Sequence, residues 1–531
     1  MAFARMFAVL AMMVTLTACG GGQPETDPDS VVFHQGNTSE PLSLDPHKAS
    51  GTWENNIIGD MFMGLTTEDL DAKPVPGMAT AWEVSEDGKT WTFTLREAKW
   101  SDGEPVVAQN FVDGFRRILT PKTAAQYASI LYLIKNAEQV NNGSLPPEDV
   151  GVRAIDDKTL EITLEHPAPF LPQLLMHYTT FPLPSHVYEK VGEQWIRPEN
   201  VVTNGAFTLK EWRLGDYVHV AKNENFWDAE NVCLDEIFYY PTVDTNSAER
   251  RVKKGELHAN TDFASNRLQH LQKTMPDFVR VHTYLGVFYV VFNTNKKPFD
   301  DPRIRTALSM SIDREFITEK ILKGGQTPAY AFVPPGTAGF ESISEVAWAD
   351  WSAEKRKEEA KKILAEAGYS PENPLVIELQ YRNSADPKLI MPAIQNDWKS
   401  IGVEADIISI ETQIAYDNLR ARNFMVADAG WIADFNDAYS FLYLMDSRTG
   451  PQNYGDYKNP AYDALLEKAN NTKDPATRGR LLAEAEQIML NDAAVAPIYF
   501  YQNKNLVDPN VTGWKDNITD IHRSRYKCFK K

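Results

Sequence analysis

Between about residue 352 and residue 431 the spacing of apolar side chains switches repeatedly from a helical period to short apolar runs. Ala360, Ile363, Leu364 and Ala367 recur on one helical face behind Ser352, and Gly368 follows. That pattern predicts a helix capped by Ser352 and ended by Gly368. A strand is expected at Leu375–Tyr381, a helix near Pro387–Ser400 and a strand at Val403–Ile410. A helix near Thr412–Ala421 and a strand at Met425–Trp431 complete the series. Strands alternating with helices over short connections predict a parallel, doubly wound sheet, which binds ligands at the carboxyl ends of its strands. Asp434 falls just past one such end.

The pattern elsewhere is more mixed. Trp82-Glu83-Val84 and Trp91-Thr92-Phe93-Thr94-Leu95 flank Asp87-Gly88 and read as a hairpin, and Ala154–Leu164 repeats the pattern around Asp156-Asp157. Phe111, Phe115 and Ile118 share a face of a helix expected from Ala108 to Leu119. Tyr284–Asn293 is apolar and aromatic enough for a central strand. Asp301-Pro302 opens a helix expected to reach about Leu322, with Asp301 as its cap.

At 531 residues the chain exceeds what one hydrophobic core serves, so two to four domains are expected. A formal charge of −19 leaves no basic surplus for nucleic acid. Arg5 precedes an apolar run, Met6–Ala18, that is too short to span a bilayer and fits a signal peptide over 1–18. Leu16-Thr17-Ala18-Cys19 resembles a bacterial lipobox, with Cys19 lipidated and residues 19–30 a flexible tether. The alternative is an ordinary secretory signal with a chance cysteine. Two cysteines remain, Cys233 and Cys528. In an oxidising compartment a bridge is expected, with two separate reduced thiols as the alternative.

Catalytic patterns are missing from the sequence. There is no Gly-x-Ser-x-Gly, His-Glu-x-x-His or Cys-x-x-Cys, and Ser352-Ala353-Glu354-Lys355 reads as a helix cap rather than a catalytic Ser-x-x-Lys. Ten histidines are scattered without metal-ligand spacing. No enzyme, metal site or cofactor is expected.

Asp434 itself has two readings on the residues alone. A carboxylate between apolar neighbours is costly unless it meets a cation or ligand, but Asp also commonly caps turns and helices. Several motifs bear on the choice. They are Ser43-Leu44-Asp45-Pro46-His47-Lys48, Trp91–Arg96 with Lys99-Trp100-Ser101-Asp102-Gly103, Val202-Thr203-Asn204-Gly205-Ala206, Phe299–Leu308 and Gly430–Asp434. In this order they resemble the peptide/nickel type (family 5) of bacterial extracytoplasmic solute-binding proteins, nearest to oligopeptide- and murein-peptide-binding members that serve ABC importers.

The resemblance implies an α/β, two-lobed periplasmic-binding-protein fold of type II, in its large three-domain variant, with a hinge and an inserted third domain. Lobe I would comprise 31–66, 187–285 and 500–531, the inserted domain 67–186 and lobe II 286–499. It further implies capture of short peptides, possible cell-wall peptides among them, as an extended ligand enclosed between the lobes. Asp434 would receive the α-ammonium group. Ser50, Gly51 and Thr52, near Trp53 and Glu54, would offer main-chain groups from lobe I, and Gly430 and Ile432 from lobe II. Tyr127 would flank the peptide, with a packing aromatic as its alternative. Trp431 is equally readable as core.

The chain departs from the family at Asp428, where oligopeptide binders often carry an arginine that helps hold a short peptide's carboxylate. Asp428 is then half of an internal ion pair or a contact for a cationic ligand group, and Arg420 and Lys388 are the candidate carboxylate partners. The expected protein is a monomeric, lipid-anchored receptor in the periplasm or at the cell surface, delivering peptides to an inner-membrane ABC permease. Competing readings are a binder of a non-peptide cation or metal complex, and a peptidoglycan-processing lipoprotein.

Overall fold

The computed structural model describes residues 28–340 and 344–531. Cys19, the apolar run before it and most of the tether lie outside the described residues. Strand β1 (Val32–Gly36) and helix α1 (Thr52–Met61) come first. The chain then builds a separate four-stranded antiparallel sheet from β2 (Ala79–Val84), β3 (Thr90–Leu95), β4 (Val152–Asp156) and β5 (Thr159–Thr163), in the order β2–β3–β5–β4. The turn at Asp87-Gly88 has Gly88 at φ +76°, a conformation open to glycine. Helix α2 (Ala108–Leu119) buries Phe111, Phe115 and Ile118, the face its spacing predicts.

Strands β6 (Phe207–Arg213), β7 (Tyr217–Lys222), β8 (Glu236–Tyr240) and β9 (Ala259–Asn260) rejoin β1. The long strand β10 (Val279–Phe292) leads to helices α3 (Pro302–Ser311) and α4 (Ala353–Glu366). Next come β11 (Leu375–Arg382), α5 (Ala385–Ser400), β12 (Val403–Ile410), α6 (Thr412–Arg420) and β13 (Val426–Ile432). Strand β14 (Val495–Val507) returns through the middle. One mixed sheet results, in the order β12–β11–β13–β10–β14–β9–β1–β8–β7–β6.

Strands β10 and β14 belong to both halves of this sheet. Residues 279–283 pair with 502–506 and residues 287–291 with 495–500, and the register shifts between Thr283 and Val287. Such an irregularity is where a continuous strand can bend. The two lobes are therefore joined through paired strands that change register as they pass from one to the other.

Two expectations need correction. Strand β11 pairs in parallel with β12 and β13, as the helix–strand alternation predicts, but β10 runs antiparallel to β13 and β14. Both crossing strands enter the sheet without the βαβ connection that enforces parallel pairing, so the sheet is mixed. The helix expected from Asp301 to Leu322 is two pieces. Asp301 does cap α3, accepting the Arg303 N–H at 2.9 Å. Ile312 is then extended, and Asp313 starts a second segment by accepting the Phe316 N–H at 2.9 Å, which continues as a wider π-type helix, Phe316–Leu322. A capping Asp inside an apolar pattern breaks a helix that periodicity alone reads as continuous.

The sequence motifs hold the domains together. Both Asp45 carboxylate oxygens accept the Arg117 guanidinium of α2, at 2.9 and 2.7 Å, and His47 bonds the Phe181 carbonyl at 3.1 Å. Arg117 thus clamps α2 onto the loop after β1 with a buried, bidentate pair. The Asn204 side chain bonds both main-chain groups of Met63, and a Cβ at Gly205 would lie 2.6 Å from the Met61 carbonyl carbon, so only glycine fits there. Cys233 and Cys528 are bridged, with Cα atoms 5.4 Å apart.

A polar cluster spans the lobes beside the crossing strands. The Ser265 hydroxyl donates to Asp386 at 2.7 Å, and the Lys504 ammonium on β14 reaches Ser265 at 2.7 Å and both Asp262 and Asp386 at 3.3 Å. Burial pulls the Lys504 ammonium down, but the two carboxylates outweigh it and hold it above the ordinary lysine range. Charge-assisted bonds of this kind contribute about 1.5–3 kcal/mol, and opening the lobes would separate Ser265 from Asp386. Asp386→Asn is therefore expected to shift the ligand-free protein toward an open form by about tenfold or more. A larger radius of gyration by small-angle scattering would show it, and unchanged scattering would contradict it.

Candidate functional site

Strand β13 positions the site. It pairs with β10 along Val426–Ile432, but with β11 only at Val426 and Ala427. The Ala433 N–H bonds the Leu285 carbonyl at 2.8 Å, and the Asn293 N–H bonds the Met425 carbonyl at 3.1 Å. Antiparallel alternation then turns the main-chain groups of Gly430 and Ile432 away from β10. Among the described residues no strand pairs with that edge from Asp428 to Ile432. A side chain at Gly430 would run into the Tyr501 hydroxyl, which explains the glycine.

Past the end of β13 the chain turns at Asp434, whose side chain is only 7% exposed. Its own N–H donates to the Ser440 hydroxyl at 2.9 Å, and Asp437 rather than Asp434 caps the following turn by accepting the Tyr439 N–H. The capping alternative is thereby set aside. Oδ1 accepts the Tyr127 hydroxyl at 3.3 Å and lies 3.7 Å from Nε2 of His177. Oδ2 is buried with no hydrogen-bond partner among the described residues. Burial pushes the Asp434 carboxyl up to about 8, against which the Tyr127 hydroxyl works only partly. His177 cannot neutralise it: burial, aided by the field of Arg523, pushes the imidazole down to about 3.

The walls come from distant parts of the chain. From the segment between β3 and β4, Tyr127 stacks on Trp431 of β13, with ring centroids 6.0 Å apart and planes 9° apart, and on His177 at 5.5 Å. Trp431 also donates its indole N–H to the Ser440 carbonyl at 2.8 Å, so it is both core and wall. Phe170 lies flat on Phe435 at 4.9 Å. Helix α1 packs against the turn Tyr178–Thr180, which brings the loop before α1 close to this wall. In that loop the Ser50 and Gly51 N–H groups donate to Glu54 at 2.9 and 2.8 Å, and Thr52 begins α1. Two of the expected main-chain donors are therefore already engaged.

Asp428 resolves into the internal pair. Its Oδ2 accepts Nε of Arg382 at 2.8 Å and its Oδ1 the Arg382 main-chain N–H at 2.8 Å. Neither expected base joins this cluster: Arg420 bonds Asp417 one turn away on α6 at 2.7 Å, and Lys388 is exposed on α5. Sequence reasoning missed Arg382 and His177, since neither stands in a motif. An unpaired acid in a buried strand was itself the signal for a base on the neighbouring strand. Among the described residues no group of three or more His, Cys, Asp or Glu side chains is placed to hold a metal ion.

Comparison with known proteins agrees with this architecture. Residues 73–453 match the model of the bacterial extracellular solute-binding proteins, family 5. The periplasmic oligopeptide-binding protein OppA of Escherichia coli is 41% identical over 92% of this chain and 90% of its own length. The murein tripeptide-binding protein MppA of Escherichia coli superposes with a TM-score of 0.91 at 36% identity, covering 95% of this chain and 99% of that one. Against MppA in its unliganded open form the TM-score is 0.70 at the same 36% identity, over 94% of this chain and 98% of that one. A drop at constant identity is what a changed lobe angle produces, so the lobes here do not stand in that open arrangement. On its fold and its sequence alike, this chain belongs to the bacterial extracellular solute-binding proteins of family 5.

Proposed function

We propose that the protein captures short peptides with a free N-terminus and does no chemistry on them. The observation that carries this reading is the unpartnered Asp434 oxygen, enclosed by three domains at the end of an unpaired strand edge. A peptide α-ammonium supplies the missing cation, and its extended backbone adds to β13 through Gly430 and Ile432. Ser50, Gly51 and Thr52 face it from lobe I with what main-chain groups Glu54 leaves, while Tyr127 and Trp431 wall the first residue. The lobes divide as 31–66 with 187–285 and 500–531, and 286–499, with 67–186 inserted. Cys19 carries the lipid anchor, the protein acts as a monomer outside the cytoplasm, and an ABC permease of the inner membrane receives the peptide. OppA and MppA are named for binding peptides, which supports the ligand class.

The ammonium–carboxylate bond in an enclosed cleft contributes about 1.5–3 kcal/mol, or about 10- to 100-fold in affinity. Titration calorimetry should find free-amine peptides binding that much more tightly than their N-acetylated forms. Asp434→Ala should erase the difference. Equal affinity of the wild type for both forms would contradict the assignment.

The same carboxyl makes closure pH-dependent. It titrates near its ordinary 3.8 in the unfolded chain and near about 8 in the closed, empty cleft. Between those values the closed state holds a proton that the unfolded chain has released, so stability falls as pH rises from about 4 to about 8. The loss stops at the cost of opening the lobes, which hydrates Asp434. The facing groups do not titrate in this range: burial holds the hydroxyls of Tyr127, Tyr178, Tyr443 and Tyr454 above it and His177 below it. Without ligand, wild-type Tm should decline relative to Asp434→Asn across that interval. Parallel pH profiles would contradict this.

A further inference from the structure

We propose that Arg382 is the receptor for the carboxylate at the far end of the bound peptide, with Asp428 as the residue that positions it. The proposal rests on the peptide reading above and extends it to the end of the ligand that Asp434 does not touch.

Arg382 is the last residue of β11, at the carboxyl end of a strand parallel to β13. Ligands gather at such ends. The pairing of β11 with β13 stops at Ala427, so Arg382 stands where the unpaired edge of β13 begins, and Asp434 stands where it finishes. An anion receptor and an amine receptor therefore bracket one free strand edge.

The guanidinium is anchored by its neighbours without using all of its donors. Nε goes to Asp428, Nη1 donates to the Tyr416 hydroxyl at 2.8 Å, and the Tyr501 hydroxyl bonds the same guanidinium. The side chain is 11% exposed. A guanidinium offers five N–H donors in a fork that fits a carboxylate, and Asp428, Tyr416 and Tyr501 take up three of them here. Asp428 uses both oxygens on Arg382, which fixes the fork and removes the repulsion an unpaired Asp428 would exert on an anion. Arg420 bonds Asp417 through Nη2, and Arg382 is the base that β11 itself brings to the start of this edge.

The edge from Asp428 to Ile432 spans four strand steps, about 13 Å. With the turn to Asp434 and the reach of the arginine, that suits peptides of about three to five residues.

The test compares free-acid and C-terminally amidated peptides of three to five alanine-rich residues by titration calorimetry, alongside their N-acetylated forms. Wild type should bind the acid about tenfold more tightly than the amide. Arg382→Gln should equalise acid and amide while the N-acetyl penalty persists. Because Arg382→Gln strands Asp428, the double variant Arg382→Gln/Asp428→Asn is measured as well and should give the same result if the single variant fails to fold. Acid preference surviving in a variant that lacks Arg382, or absent from wild type that still rejects N-acetyl peptides, overturns this proposal alone. Indifference to N-acetylation would instead overturn the peptide-amine reading.

Discussion

A carboxylate oxygen shut away from water without a partner governs this molecule. Asp434 sits past the end of β13 against Tyr127 and His177, and among the described residues none supplies a cation to it. His177 beside it is neutral, Arg382 is engaged by Asp428, and Arg478 is engaged by both oxygens of Asp437 at 2.7 and 2.9 Å. Closing around Asp434 with no cation costs several kcal/mol as a buried charge, or else the uptake of a proton by a carboxyl that burial pushes up to about 8. Other contacts favour closure: Phe170 stacks on Phe435, the Arg478 guanidinium lies 5.1 Å over Phe170, and Lys473 donates to the Glu86 carbonyl at 2.7 Å. The lobes are thus balanced between apolar contacts that pull them together and one acid that resists until a cation arrives. A ligand shifts such an equilibrium by its differential affinity for the two states, and an ammonium at Asp434 supplies a large share of that difference.

The two acids of this segment lie six residues apart and differ in what surrounds them. Asp428 lies inside the sheet, where the neighbouring strand β11 delivers both a main-chain N–H and a guanidinium to it. Asp434 lies past the strand end, where β11 has already diverged and the facing groups are aromatic. One acid is complete within the fold, and the other is completed only by something that enters.

Much of this was legible in the sequence because it is local. The helix Ala108–Leu119 and the strand Val403–Ile410 follow from periodicity and appear with those bounds. The placement of Asp434 at a strand end came from the alternation of elements. The break at Ile312 was not legible, because Asp313 caps a helix without disturbing the apolar spacing around it. Nor was the antiparallel run of β10 and β14, whose partners lie more than a hundred residues away. Arg382 was illegible for the same reason: it meets Asp428 across two strands separated by 46 residues. The engagement of the Ser50 and Gly51 N–H groups by Glu54 depends on a side-chain rotamer that no spacing encodes.

A crystal structure of the protein with a free-amine peptide of four residues tests the role of Asp434 most directly. The expected result places the peptide's α-nitrogen about 2.7–2.9 Å from Oδ2 of Asp434, with its backbone along the edge of β13. A peptide bound in the opposite direction, or an Asp434 oxygen still without a partner in the closed complex, would contradict it.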